Sequence, residues 1–121
     1  MAANACWGVE VGQNALKAIK LVKTNDGVEV ADWAVIPHKR VLSAPETDEK
    51  DAKRVAVGTL VSQKDLSKAT LAVSVSGSQA FARFAKLPPV EQKKIPDIVK
   101  FEAVQQIPFP IDQVEWDYQT F

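Results

Sequence analysis

The segment Gly8-Val9-Glu10-Val11-Gly12-Gln13-Asn14-Ala15-Leu16-Lys17 reads as a strand, a glycine turn and a return strand. The sequence around it alternates well enough to fix the local fold. Residues 6–11 make the first strand. Residues 16–23 make the second, with Ala18, Lys20 and Val22 alternating against Ile19 and Leu21. The turn Asn25-Asp26-Gly27 is the strongest hairpin signal in the chain. A third strand, 28–36, follows it and stops at Pro37. Three consecutive strands joined by tight turns form an antiparallel meander.

Beyond the meander the pattern changes. Residues 38–49 are polar and aperiodic, with Ser43-Ala44-Pro45 as breakers, and read as a loop. Thr47 or Asp48 caps a helix over 49–63, whose apolar positions Ala52, Val55, Ala56, Leu60 and Val61 recur at helical spacing. The run 69–75 is apolar and branched. It predicts a buried strand that joins the meander sheet in parallel after the helical crossover. Gly77 ends it. A strand is then expected over 79–86, stopped by Pro88-Pro89. A helix follows over 91–106, with Ile95, Ile98, Val99, Ala103 and Ile107 on one face. Pro96 is harmless in that helix if the helix begins at Ile95, and kinks it if the helix begins at Glu91. Ile107-Pro108-Phe109-Pro110 is a rigid exit, and 114–121 is a last strand candidate. The expected organisation is a first subdomain over 1–77 and a partial strand-helix-strand subdomain over 78–121. The last strand candidate runs to the final residue, so the expectation is that sequence completing this subdomain is missing.

Composition narrows the function classes. Fifteen basic residues balance fifteen acidic ones, which argues against a nucleic-acid-binding module. Cys6 is the single cysteine and His38 the single histidine, so neither an internal disulfide nor a self-contained zinc site is available. No apolar run approaches a membrane span. The short, uncharged N-terminus lacks the basic and apolar regions of a leader. No triad of nucleophile, base and orienting acid can be assembled. His38 reads as a surface residue of a polar loop and Cys6 as a small hydrophobe in the first strand. Trp7 and Trp33 read as core residues or cross-strand partners; Phe101 reads as a packing anchor or, with Glu102 and Pro108-Phe109-Pro110, as a partner-binding feature, packing being the favoured reading.

The chemistry concentrates in the first hairpin. Glu10, the turn at Gly12-Gln13-Asn14, and Lys17 come together there. Gly12 is suited to a positive φ in the turn. The backbone amides of Gln13 and Asn14 are placed to face phosphate oxygens.

The stretch from Gly8 to Gly12, with Lys17-Ala18-Ile19-Lys20-Leu21, resembles the opening phosphate motif of actin-like ATPases. It is most similar to that of the PilM family of type IV pilus assembly proteins, relatives of the division protein FtsA. A second marker is Leu87-Pro88-Pro89, then Phe101-Glu102-Ala103, then Gln106-Ile107-Pro108-Phe109-Pro110, which looks like that family's inserted subdomain. Ala72-Val73-Ser74-Val75-Ser76-Gly77 resembles the strand before the insertion. The likeness covers nearly all of this chain, but only about the first third of a typical member. It implies an α/β, actin-like (ribonuclease H-like) subdomain with a mixed sheet, plus part of the insertion.

It also implies a cytoplasmic scaffold beneath the inner membrane, serving pili, competence or type II secretion. Such a scaffold docks the N-terminal tail of a PilN-like membrane protein and engages the pilus motor complex, so it meets the membrane only through partners. The alternative it implies is an ATPase that uses the hairpin. Gly12, Gln13, Asn14 and Lys17 would then hold the phosphates of ATP, with Glu10 near magnesium. Self-association by strand exchange is a third possibility. The family favours aspartate where this chain has Glu10, a displacement of about one carbon–carbon bond, or about 1.5 Å. It also favours small hydroxyl residues where Gln13 and Asn14 stand. The second phosphate hairpin and the adenosine pocket are expected outside this chain. Its isolated form is therefore expected not to retain ATP and magnesium.

Overall fold

The computed structural model describes residues 4–121. The first three residues, part of the N-terminus read above as no leader, lie outside it. The chain divides into two compact units, Met1–Ala80 and Phe81–Phe121.

The first unit is a four-stranded mixed sheet carrying one helix. Strand β1 is Ala5–Val11, β2 Ala15–Thr24 and β3 Gly27–Pro37. The helix α1 is Glu49–Gln63, and β4 is Thr70–Ser74. The spatial order is β3-β2-β1-β4. The meander is antiparallel throughout, and β4 adds to β1 in parallel, as the sequence predicts. Gly27, at φ 143°, closes the β2–β3 turn, a conformation that glycine reaches without steric cost. Between Lys20 and Leu21 the β2–β3 register shifts by one, because Ala31 is an extra residue on β3.

Alternation assigns the two faces. Trp7, Val9, Leu16, Ala18, Ala34 and Ile36 point to one side and pack with Ala56 and Leu60 of α1. Trp7, Leu16 and Leu60 are the largest side chains fully buried in this core. Asp48 caps α1, its carboxylate accepting from the Asp51 N–H at 3.0 Å. At the other end Lys64 Nζ reaches Asp32 Oδ1 at 2.6 Å and ties the helix to β3. That bond, with the Trp33 N–H, holds the Asp32 carboxyl below the ordinary aspartate range. The indole Nε1 of Trp7 is buried with no hydrogen-bond partner among the described residues.

Several packing expectations change. Helix α1 buries a narrower stripe than its apolar pattern predicts. Ala56 and Leu60 are buried, but Val55 and Val61 are exposed. It packs on β2 and β3 rather than β4. Strand β4 is consequently exposed along its whole length instead of buried. Among the described residues it is an edge strand with β1 as its one neighbour in the sheet. Trp7 and Trp33 sit on opposite faces of the sheet, and Trp33 is exposed. Cys6 is half-buried, on the face away from α1.

The second unit contains helix α2, Ile95–Gln106, entered through a short 3-10 turn at Gln92–Lys94. Pro96 lies in the first turn, where its missing N–H costs nothing. Ile95, Ile98, Val99, Ala103 and Ile107 are half-buried, the face that periodicity predicts. Phe101 is exposed rather than a core anchor. The two strands expected to flank this helix do not form. Residues 80–86 and 114–121 make no ladder among the described residues. Alternating sequence becomes a strand only where a neighbour takes its backbone hydrogen bonds. No helix among the described residues is long and apolar enough to cross a membrane.

Candidate functional site

The β1–β2 hairpin brings the predicted site residues together. Glu10 and Lys17 are cross-strand partners on the face away from α1. Lys17 Nζ lies 3.7 Å from Glu10 Oε2, with both side chains more than half exposed. Such a pair contributes little to stability, so either partner is free to engage a ligand. Gln13 and Asn14 form the exposed tip. The Gly12 N–H donates to Ala15 O at 3.0 Å and closes the turn.

Gly12 does not take the positive φ expected of it. Among the described residues Gly27 alone does. The reason for glycine at position 12 is close approach. A Cβ there would sit 3.2 Å from Ala15 O and 3.8 Å from Glu10 Oε1. The first distance is shorter than comfortable contact, and the atom is backbone.

His38 is the residue that sequence reasoning missed. Its Nε2 lies 3.0 Å from the Gly12 carbonyl oxygen, and its N–H donates to Asn14 O at 2.8 Å. A carbonyl only accepts, so Nε2 carries the proton. The polar loop after β3 then folds back on the turn. The Leu42 N–H donates to Gln13 O at 3.0 Å, and the Ser43 N–H to Gln13 Oε1 at 2.9 Å. Leu42 itself is buried at 3 % exposure. The available signal was the hairpin register, which carries β3 past Pro37 alongside the tip.

Below the tip the open face of the sheet carries a shallow depression, lined by Gly8, Ile19, Trp33, Val35 and Ala72 beside Glu10 and Lys17. No cluster of three or more metal-ligating side chains occurs among the described residues. Glu10 therefore fits a magnesium ion only as a single carboxylate beside a polyphosphate, which is how magnesium is commonly held. The arrangement combines two tip amides without an acceptor among the described residues, one exposed lysine and one carboxylate. These are groups of the kinds that suit an oxyanion and a bridging cation, and among the described residues no nucleophile stands beside an activating base there.

No curated protein matches the chain. Residues 8–121 match the family described as type IV pilus assembly protein PilM, a span that runs from within β1 through the β1–β2 tip, the other strands, α1 and α2, and the chain belongs to that family.

Proposed function

We propose that this chain contributes to type IV pilus assembly by presenting one phosphate-holding half of a nucleotide site. The observation that carries the reading is the β1–β2 tip. There the Gln13 and Asn14 N–H groups donate to no protein acceptor among the described residues, and Lys17 stands on the neighbouring strand pair. Gly12, Gln13 and Asn14 supply backbone, Lys17 a positive charge, and Glu10 a contact to magnesium carried on the phosphates. The hairpin covers only one side of a ligand, so the isolated chain holds nucleotide weakly and transiently rather than retaining it. Titrating the chain with magnesium ATP while following backbone amide resonances tests this. Shifts centred on Gln13 and Asn14, absent with adenosine and reduced in Lys17→Ala, are expected. No shift at those amides at millimolar nucleotide refutes it.

A second reading is favoured by the bare edge of β4 and the apolar face formed by Ile19, Trp33 and Val35. In it the protein is a scaffold that takes up the extended N-terminal tail of a PilN-like membrane protein, by strand addition or in the shallow depression. Calorimetry with that tail peptide decides it, and an absence of heat at high micromolar peptide ends it.

A further inference from the structure

The tip of the first hairpin is held from behind at three successive carbonyls. Gly12 O meets His38 Nε2, Gln13 O accepts from the Leu42 N–H, and Asn14 O accepts from the His38 N–H. None of the peptide bonds among the described residues is cis, so each N–H points opposite to the C=O of its own peptide unit. Holding Gly12 O therefore fixes the direction of the Gln13 N–H. Holding Gln13 O fixes that of the Asn14 N–H. Both amides are turned away from the loop that grips their carbonyls. The Gln13 side chain is drawn back as well, onto the Ser43 N–H. Leu42 anchors this strap by burial.

We infer that His38 is a positioning residue of the phosphate turn. Its Nε2–H grips Gly12 O and so presents the Gln13 N–H to a phosphate oxygen. The inference rests on the phosphate reading above and adds a cause for it. A two-residue tip with exposed side chains has no packing of its own to hold a direction. A bond from a half-buried ring supplies one at no cost to the amides, which stay free. Two neighbouring amides held in this way make the concavity that takes an oxyanion, and order fixed beforehand is order a ligand need not impose.

Three forms of the full chain test it: the natural protein, His38→Phe and His38→Gln. Phenylalanine keeps a ring and removes the donor, whereas glutamine restores an N–H at similar reach. Each is titrated with magnesium ATP and, separately, with pyrophosphate. Backbone order parameters at Gln13 and Asn14 and the unfolding midpoint are also recorded. His38→Phe is expected to weaken binding by about 3- to 10-fold, the loss of one hydrogen bond's influence. It is also expected to lower order at Gln13, and His38→Gln is expected to recover both. Binding and order unchanged in His38→Phe overturn the inference. So does a lower midpoint with order at Gln13 intact, because that marks a merely structural residue. If the natural protein binds neither ligand, the phosphate reading fails. The order parameters then still decide whether His38 fixes the turn, and equal order in all three forms overturns the inference on its own.

Discussion

Truncating Leu60 tests the way α1 is docked on the sheet. Leu60 is 2 % exposed and packs into the Trp7–Leu16 cluster, while its neighbour Val61 is 59 % exposed. Leu→Ala in a core costs about 2–5 kcal/mol, part transfer and part cavity. This core is a single thin layer between one helix and one sheet, a site that relaxes more readily than a deep interior, so about 2–3 kcal/mol is expected. A unit of this size has a total stability of about 4–12 kcal/mol. The variant should therefore lose a large fraction of it, and its midpoint should fall by roughly 10–20 °C. Val61→Ala should change stability by no more than about 0.5 kcal/mol. Urea unfolding followed by far-UV dichroism and by tryptophan fluorescence measures both. The assay also reports whether the m-value is preserved. Equal losses in the two variants refute the reasoning. The stripe that buries α1 would then be the broad one its apolar pattern implies, not the narrow one formed by Ala56 and Leu60.

Gly27→Ala should destabilise by about 1–3 kcal/mol, because φ 143° is closed to an L side chain. Gly12→Ala should stay within about 1 kcal/mol, since relief of unfolded-state entropy offsets the 3.2 Å contact with Ala15 O; thermal unfolding of both separates the two roles of glycine. Asp32 is held below its ordinary pKa by Lys64 and the Trp33 N–H, and Asp65 by the Ser67 hydroxyl and N–H. Both carboxylates favour the fold above the unfolded aspartate value near pH 4, and that contribution disappears as pH falls through their lower folded values. Acid unfolding should therefore be shallower in Asp32→Asn, and an unchanged acid limb contradicts the Lys64–Asp32 tie. Lys17→Ala should leave the unfolding midpoint almost unmoved, because its bond to Glu10 is exposed; a large fall would mean that the pair is structural.

The first unit was legible because each element carries its own local signal. Strands β1 to β3 alternate, Asp26-Gly27 turns, Asp48 caps, and α1 runs from 49 to 63 as its spacing predicts. Burial was harder to read, because it depends on what lies opposite. The apolar run of β4 looks like a two-sided parallel strand, yet α1 covers β2 and β3 and leaves β4 bare. The alternation at 79–86 and 114–121 meets the same limit. A strand pattern states a preference for an extended backbone with two faces, and it cannot supply the neighbour that turns preference into a ladder.

The site shows a finer version of that limit. Glu10, Gly12 and Lys17 are near in sequence, so spacing alone brought them together. His38 is 26 residues from Gly12 and meets it only through the register of β2 on β3. Counting back from the Thr24–Gly27 pair without interruption sets Pro37, not His38, opposite Asn14. Pro37 has no N–H to give the Asn14 carbonyl. The extra residue at Ala31 advances the register by one and brings His38 to the tip instead. Its backbone N–H then grips Asn14 O and its ring reaches Gly12 O. A bulge seven residues before His38 therefore decides whether the turn is braced or loose. Bulges leave only a weak trace in sequence, since Ala31 and its neighbours would sit equally well in a regular strand. That is the physical reason why the hairpin could be recognised from its residues while the loop that aims it could not.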